Sequence, residues 1–410
     1  MFRITPATSK FVFNGNINGA VNFKQNNEVY KPTASLVIDQ LNINETDLGV
    51  FKFDIEGDQN LEKFTINSLL KNESLESLNA DGFFKIVNKE TVLDMNLKLA
   101  KFNLGLLNSL GGDVVSHIRG LVTGNATISG NVNKPDIKGR LYLDDAGLTI
   151  PYLNVDYLLN YRSVVDLTDQ SFLFRNNTLT DSKFGTKGLL NGIIEHNNFA
   201  DWKFDLAIEA QRLLVLDTKD REDAAYYGTA FIDGRATIKG PINGLFIKVE
   251  AKSEKGTEIK IPINSAESVS ENAFVHFLTE KEKYNIKMGI IEDKRGYRGL
   301  ELEFDLDITP EAEIEVILDR DSGHGMKGKG FGSLLFKINT LGKFNMWGDF
   351  QAYEGSYNFK YGGLIDKKFD VRKGGSIIWE GNPMKAQLNL DAVYKTTANP
   401  AVLLQNSSFN

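Results

Sequence analysis

The chain of 410 residues contains no cysteine, which removes disulfides, thiolate zinc sites and thiol nucleophiles from consideration. Nowhere do about 18 apolar residues run uninterrupted, so no segment reads as a bilayer-spanning helix. Met1 to Lys10 lack the basic start and apolar stretch of a secretory signal. There is no excess of basic residues: 54 acids against 47 bases leave a net charge of −7, which argues against a nucleic-acid partner. The four histidines, His117, His196, His276 and His324, are too far apart to spell a local metal pair. No Gly-x-Ser-x-Gly elbow occurs, and no two carboxylates are marked for distinct acid and base roles. These absences lead to the expectation of a non-enzyme without cofactor or metal. Taken literally, a chain with no leader and no span is cytosolic. Asn406 to Asn410, however, trail Ala401-Val402-Leu403-Leu404 with no terminal element, as expected of an excised fragment whose targeting signals lie elsewhere.

What the chain has in abundance is alternation. In Leu300-Glu301-Leu302-Glu303-Phe304-Asp305-Leu306-Asp307-Ile308 every second residue is apolar and every other one an acid. Successive side chains of a strand point to opposite faces, so this spelling makes one apolar face and one hydrated face. The pattern returns in Phe51 to Ile55, Leu93 to Leu99, Trp202 to Glu209 and Ala386 to Leu390. The 37 glycines punctuate apolar runs every ten or so residues, the spacing of strands joined by turns. With 41% hydrophobic and 25% charged residues the chain has an ordered composition, and its length favours one elongated, repetitive architecture over a single compact core. Roughly 25 to 30 strands about 4.8 Å apart would extend on the order of 120 to 140 Å.

Helical signals are few: only Leu104 to Ile118 and Ser270 to Lys283 carry apolar residues at three-and-four spacing, and each could equally be an irregular loop. Gly124-Asn125-Ala126-Thr127-Ile128-Ser129-Gly130 is echoed 110 residues later by Gly234-Arg235-Ala236-Thr237-Ile238-Lys239-Gly240. Each copy leads on to an apolar-Pro step, Ile150-Pro151 and Ile261-Pro262, and Gly332 to Ile338 is a partial third. Such echoes predict one β-module stacked on the next. Gly323-His324-Gly325-Met326-Lys327-Gly328 satisfies a dinucleotide fingerprint. No helix follows it, so a mobile glycine-rich connection is the expected role. Lys219-Asp220-Arg221-Glu222-Asp223 reads as a hydrated turn.

Three ordered strings resemble the carboxy-terminal domain of the TamB family, in its Bacteroidetes-type form. They are Ser116 through Gly130 to Ile150-Pro151, Tyr226 through Gly240 to Ile261-Pro262, and Gly348-Asp349-Phe350 through Gly375 to Asn382-Pro383 and Leu388 to Tyr394. Their order and span, from about Leu104 to Tyr394, carry the resemblance, and residues 1–103 read as an N-terminal β-repeat part ahead of a TamB-type domain at 104–410, truncated at its C-terminal end.

The resemblance implies an all-β, U-shaped sheet of the β-taco kind with an apolar concave groove, related to AsmA-like bridge-like lipid transfer proteins. It implies a periplasmic parent protein held in the inner membrane by an anchor absent from this fragment. It further implies phospholipid movement toward the outer membrane, support of outer-membrane protein assembly, and a TamA-like barrel of the BamA superfamily as partner. The expected lining for phospholipid acyl chains is Leu93, Met95, Leu97, Leu99, Trp202, Phe204, Leu206, Ile208, Leu302, Phe304, Leu306 and Ile308, with ordinary core packing as the rival role for each. The competing function is a scaffold that pairs strands of barrel substrates through an exposed sheet edge without carrying lipid. A carbohydrate-acting β-solenoid would instead need acids and aromatics clustered on one face.

Overall fold

The computed structural model describes residues 12–26, 29–44, 46–111, 114–221, 224, 226–262, 300–320, 322–339, 344–361 and 364–397. Its 25 strands belong to one sheet. They follow chain order: β1 (Phe13–Asn14), β2 (Ile17–Asn26), β3 (Val29–Ile43), β4 (Thr46–Gly57), β5 (Lys63–Asn72), β6 (Leu75–Val87) and β7 (Glu90–Asn103). The middle holds β8 (Ser116–Asn131), β9 (Asp136–Ile150), β10 (Val155–Leu159), β11 (Ser163–Thr168), β12 (Ser171–Asp181), β13 (Lys187–Asn197) and β14 (Ala200–Thr218). Then come β15 (Tyr227–Pro241), β16 (Leu245–Ser253), β17 (Glu258–Pro262), β18 (Leu300–Ile308), β19 (Glu313–Asp319), β20 (His324–Asn339) and β21 (Phe344–Tyr361). The last are β22 (Ile365–Val371), β23 (Ser376–Gly381), β24 (Gln387–Asn389) and β25 (Ala392–Val393).

Neighbours in sequence are neighbours in space, as short turns between antiparallel strands dictate. Six rungs of the sheet each hold two strands end to end, so the 25 strands make 19 rungs. At about 4.8 Å per step the sheet measures about 85 Å along its stacking direction, shorter than the strand count suggests. All pairings are antiparallel except β16 with β18 and β17 with β19, which run parallel.

Several splits and bulges lie in the interior of a rung, and others, as at Glu195–Asn197 and Ile317–Asp319, at strand ends. In β7, β12 and β14 the register shifts beside Lys101, Asn176 and Arg212, whose φ angles are +52°, +52° and +53°. An extra residue of this kind bends its strand and sharpens the twist. The freed amides find side chains: Lys101 N–H donates to Thr123 Oγ1 at 3.1 Å and Asn176 N–H to Asn191 Oδ1 at 2.7 Å. At the splits, buried polar residues complete the ladder. Asn177 exchanges two bonds with the Val164 backbone, Thr257 two with Phe231, and Thr309 two with Ser253. The pairings β15–β16–β18–β20–β19–β17–β15 close a barrel-like six-strand ring around these corners.

The bends fold the sheet across its strands. Tyr226 precedes β15 at one strand end, and Phe344 opens β21 at the opposite end. On a flat sheet the length of β15 would hold them about 45 Å apart, yet their rings are 6.4 Å centroid to centroid. Val114, Tyr152 and Tyr226 from one end pack against Leu245, Leu300, Leu302, Ile338 and Phe344 from the other. The end of β14 is also tied to the β9–β10 turn, where Asp217 N–H donates to Leu153 O at 3.0 Å and buried Tyr157 Oη–H to Leu214 O at 2.7 Å.

Of the two segments with helical spacing, Leu104 to Ile118 holds a 3-10 turn, Leu104–Leu107, a single α-turn, Asn108–Gly111, and from Ser116 the start of β8, because glycines and β-branched Val114-Val115 interrupt the apolar spacing. Ser270 to Lys283 lies outside the described residues. The glycine-rich string is no mobile connection: from His324 it is β20, and a Cβ on Gly330 would lie 2.2 Å from Gln351 O, so glycine here lets strands approach. The echoed strings occupy matching places in β8 and β15. Gly124 and Gly234 take φ of +157° and +153°, and Gly130 and Gly240 end their runs at +92° and +108°.

Candidate functional site: one apolar face

Residues directly opposite in a ladder project from the same face, so register traces the apolar surface. Leu93, Met95, Leu97 and Leu99 stand opposite Phe84, Gly82, Ala80 and Leu78 on one side and Gly130, Ile128, Ala126 and Gly124 on the other. From Ile128 the face passes through Ile137 and Gly139 to Leu167, Phe172, Ile194 and Phe204. Trp202, Leu206 and Ile208 alternate with outward residues on the same strand as Phe204. Leu206 and Ile208 face Ile238 and Ala236, which lead through Ile247 and Val249 to Leu302 and Phe304. Leu306 and Ile308 continue that strand opposite Leu334 and Gly332. The three stretches, some 200 residues apart at their extremes, thus share one face.

What covers that face changes along the sheet. Leu93, Met95, Leu97 and Leu99 are half-buried; Leu97 and Leu99 pack against the cluster that includes Ala126, Ile137 and Leu141, and Leu70, on the same face, is 2% exposed in a cluster with Leu41 and Leu48. At the β2 edge Val21 is 74% exposed and Phe23 59%. Further along, side chains from both strand ends cover the face: Leu206, Leu302 and Ile308 are buried, at 8%, 4% and 8% exposure. Phe204, Ile208, Phe304 and Leu306 pack against the cluster around Val155, Tyr157, Leu213, Leu214 and Phe231.

Trp202 lies apart, in an aromatic group at the strand ends. Its ring is 5.1 Å from His196 and 6.0 Å from Phe172, and Phe199 stacks on His196 at 4.6 Å. Trp202 Nε1 is buried with no hydrogen-bond partner. His196 Nδ1 accepts from Phe199 N–H at 3.1 Å, which requires an unprotonated Nδ1. Burial pushes the His196 imidazole below its ordinary 6.5. A base depressed in the fold binds its proton more readily when unfolded, so its contribution is present above the unfolded value and is lost as pH falls through it. Urea midpoints are therefore expected to drop between pH 7.5 and 5.5, and the drop to shrink in His196→Gln. An unchanged difference in that variant would assign the pH dependence elsewhere.

The remaining buried ionic groups hold the fold. Asp181, 1% exposed, accepts from the N–H groups of Lys183, Phe184 and Thr186 at 3.1, 2.6 and 2.6 Å, and from the Thr186 hydroxyl. For Asp156 burial acts upward, yet the bidentate Arg119 pair at 2.9 and 2.8 Å and the Thr149 hydroxyl hold its carboxyl below the usual range. Among the described residues no group of three or more His, Asp or Glu is placed to hold a metal, and no helix is long and apolar enough to cross a membrane.

The residues that sequence reasoning missed are of two kinds. Ile17, Val21 and Phe23 extend the apolar face at its open end and had a findable signal, their alternation. Tyr152, Tyr226 and Phe344, where the two strand ends meet, had none, since their contact depends on how the sheet folds.

No curated protein and no solved structure matches the chain. The family model of the TamB C-terminal domain matches residues 175–410, more than half of the chain. The chain therefore belongs to the TamB family, whose members serve the translocation and assembly module of the cell envelope.

Proposed function

We propose that the chain is part of a periplasm-spanning conduit that carries phospholipid toward the outer membrane and supports outer-membrane protein assembly. The parent protein would be anchored in the inner membrane and would meet a TamA-like barrel. The observation that carries this reading is the single apolar face, continuous from β2 to β23 and, among the described residues, partly exposed over much of β2 to β7. An acyl chain of ~15 methylenes costs about 12 kcal/mol to expose to water. Half-buried Leu93, Met95, Leu97 and Leu99, with Phe53, Ile55, Ile66 and Phe84 on the neighbouring rungs, offer a bed about 14 Å long along the stacking direction. In this reading residues 1–103 supply that bed and residues 104–410 the TamB-type domain. The headgroup stays in water, and direction comes from elsewhere.

One observation favours a second reading. Among the described residues β2 pairs only with β3 and presents a free edge carrying a single charge, Lys24, a template for an incoming strand of a barrel substrate. The two are separated by purifying the protein and extracting bound lipid for mass spectrometry. Phospholipid in the extract is the expected result. A lipid-free protein that crosslinks to a nascent barrel would replace the conduit with the strand-pairing scaffold.

A further inference from the structure

Tyr152 and Tyr226 join the strand-end edge on one side of the fold to Phe344 on the other. Tyr226 Oη lies 3.3 Å from Tyr152 Oη, its ring is 6.4 Å from Phe344, and Phe344 stacks on Phe336 at 6.0 Å with the planes 5° apart. Beneath this contact sit Leu302, Leu300, Leu245 and Ile338, each under 10% exposed. Among the described residues no strand pairing joins Tyr226 to Phe344, and aromatic and aliphatic packing brings the two edges together there.

We infer that this seam is a closure in the lipid path: it shuts the section of the apolar face over β14 to β20, beyond the partly exposed bed of β2 to β7, and passage along that section requires the seam to part. A lipid sliding along the face from Leu97 toward Phe304 would first meet buried Ile137 and Leu167 and then Leu206 and Leu302, the last two beside the seam, all already covered by protein side chains. The chain must expel those contacts to take acyl carbons in their place. Side-chain packing at a seam exchanges for an acyl chain at little net change in apolar burial, whereas hydrogen-bonded strands would have to break polar pairs. This inference rests on the proposed lipid reading and adds a barrier to it.

The absence of cysteine makes the test clean. Tyr226→Cys and Phe344→Cys are introduced together, and half of the preparation is joined with a short bis-maleimide. The unjoined half and each single variant treated with the same reagent serve as controls, with thermal melts to establish folding. All samples receive phosphatidylethanolamine bearing a diazirine on one acyl chain, are irradiated, and have their adducts mapped by peptide mass spectrometry. Adducts on β3 to β7 are expected in every sample, and adducts on β14 to β20 in unjoined protein, falling to background once the edges are joined. Equal labelling of β14 to β20 in joined and unjoined protein, whether present or absent, would overturn the closure while leaving the bed intact. Absence of adducts throughout would overturn the lipid reading and the closure with it.

Discussion

Leu302→Asp is expected to unfold the shut section of the sheet. Leu302 is 4% exposed and stands in register between Ile247 and Ile338, in a cluster with Leu245 and Leu300. The nearby lysines give it no partner, since Lys248 and Lys337 project from the other face to pair with Glu303. An aspartate at this position is an unpaired charge among aliphatic side chains, a change that costs about 3–5 kcal/mol. That is a large fraction of the roughly 5–15 kcal/mol by which domains are stable. The measurement is urea unfolding followed by near-ultraviolet circular dichroism, which reads the packed aromatic rings of the seam. Glu301→Ala, on the exposed face one residue away, is the matched control and is expected to shift stability by no more than about 0.5 kcal/mol. Wild-type midpoints for Leu302→Asp would mean that this position is solvent-accessible and that the edges do not close over it.

Leu302 also shows how far the sequence could be read. Its alternation with Glu301 and Glu303 announced a strand with one apolar face, and that periodicity alone led to Leu93 through Ile308 as members of one surface. In the ladders these residues stand side by side on one face. Alternation reports only which side a residue takes, however, and says nothing about what lies above it. Leu97 and Leu302 have the same spelling, yet one is half-open and the other is sealed, because the edges that meet over Leu302 come from Tyr152, Tyr226 and Phe344. These lie up to 192 residues apart and share no period. The corners were equally silent. Glu254 to Thr257 and Thr309 to Ala312 look like ordinary turns, but each splits one rung into two strands, so a strand count overstated the length. The echo between Gly124 and Gly234 was informative for a physical reason: both glycines sit at mid-strand where a Cβ would lie 2.2 and 2.3 Å from the carbonyl of the neighbouring strand. That restraint recurs wherever the module does.

The reverse contrast is the second large effect. Met95→Asp with Leu97→Asp is expected to leave the fold nearly untouched and to strip the protein of lipid. Both side chains are only partly buried, so their new carboxylates can reach water and the full penalty of Leu302→Asp does not arise. Under a bound acyl chain the balance reverses. Each replacement removes about 1.5–3 kcal/mol of apolar contact and places a charge where the chain would exclude water. Because 1.4 kcal/mol is a factor of ten, the retained lipid per protein should fall by at least about tenfold. Lipid extracted from equal amounts of wild type and variant, quantified by mass spectrometry beside a thermal melt of each, provides the reading. Loss of lipid with an unchanged melt places the guest on β7. Full lipid loading with both aspartates present would show that the exposed bed is not where acyl chains lie, and would shift the proposal from the open end of the sheet to its covered section.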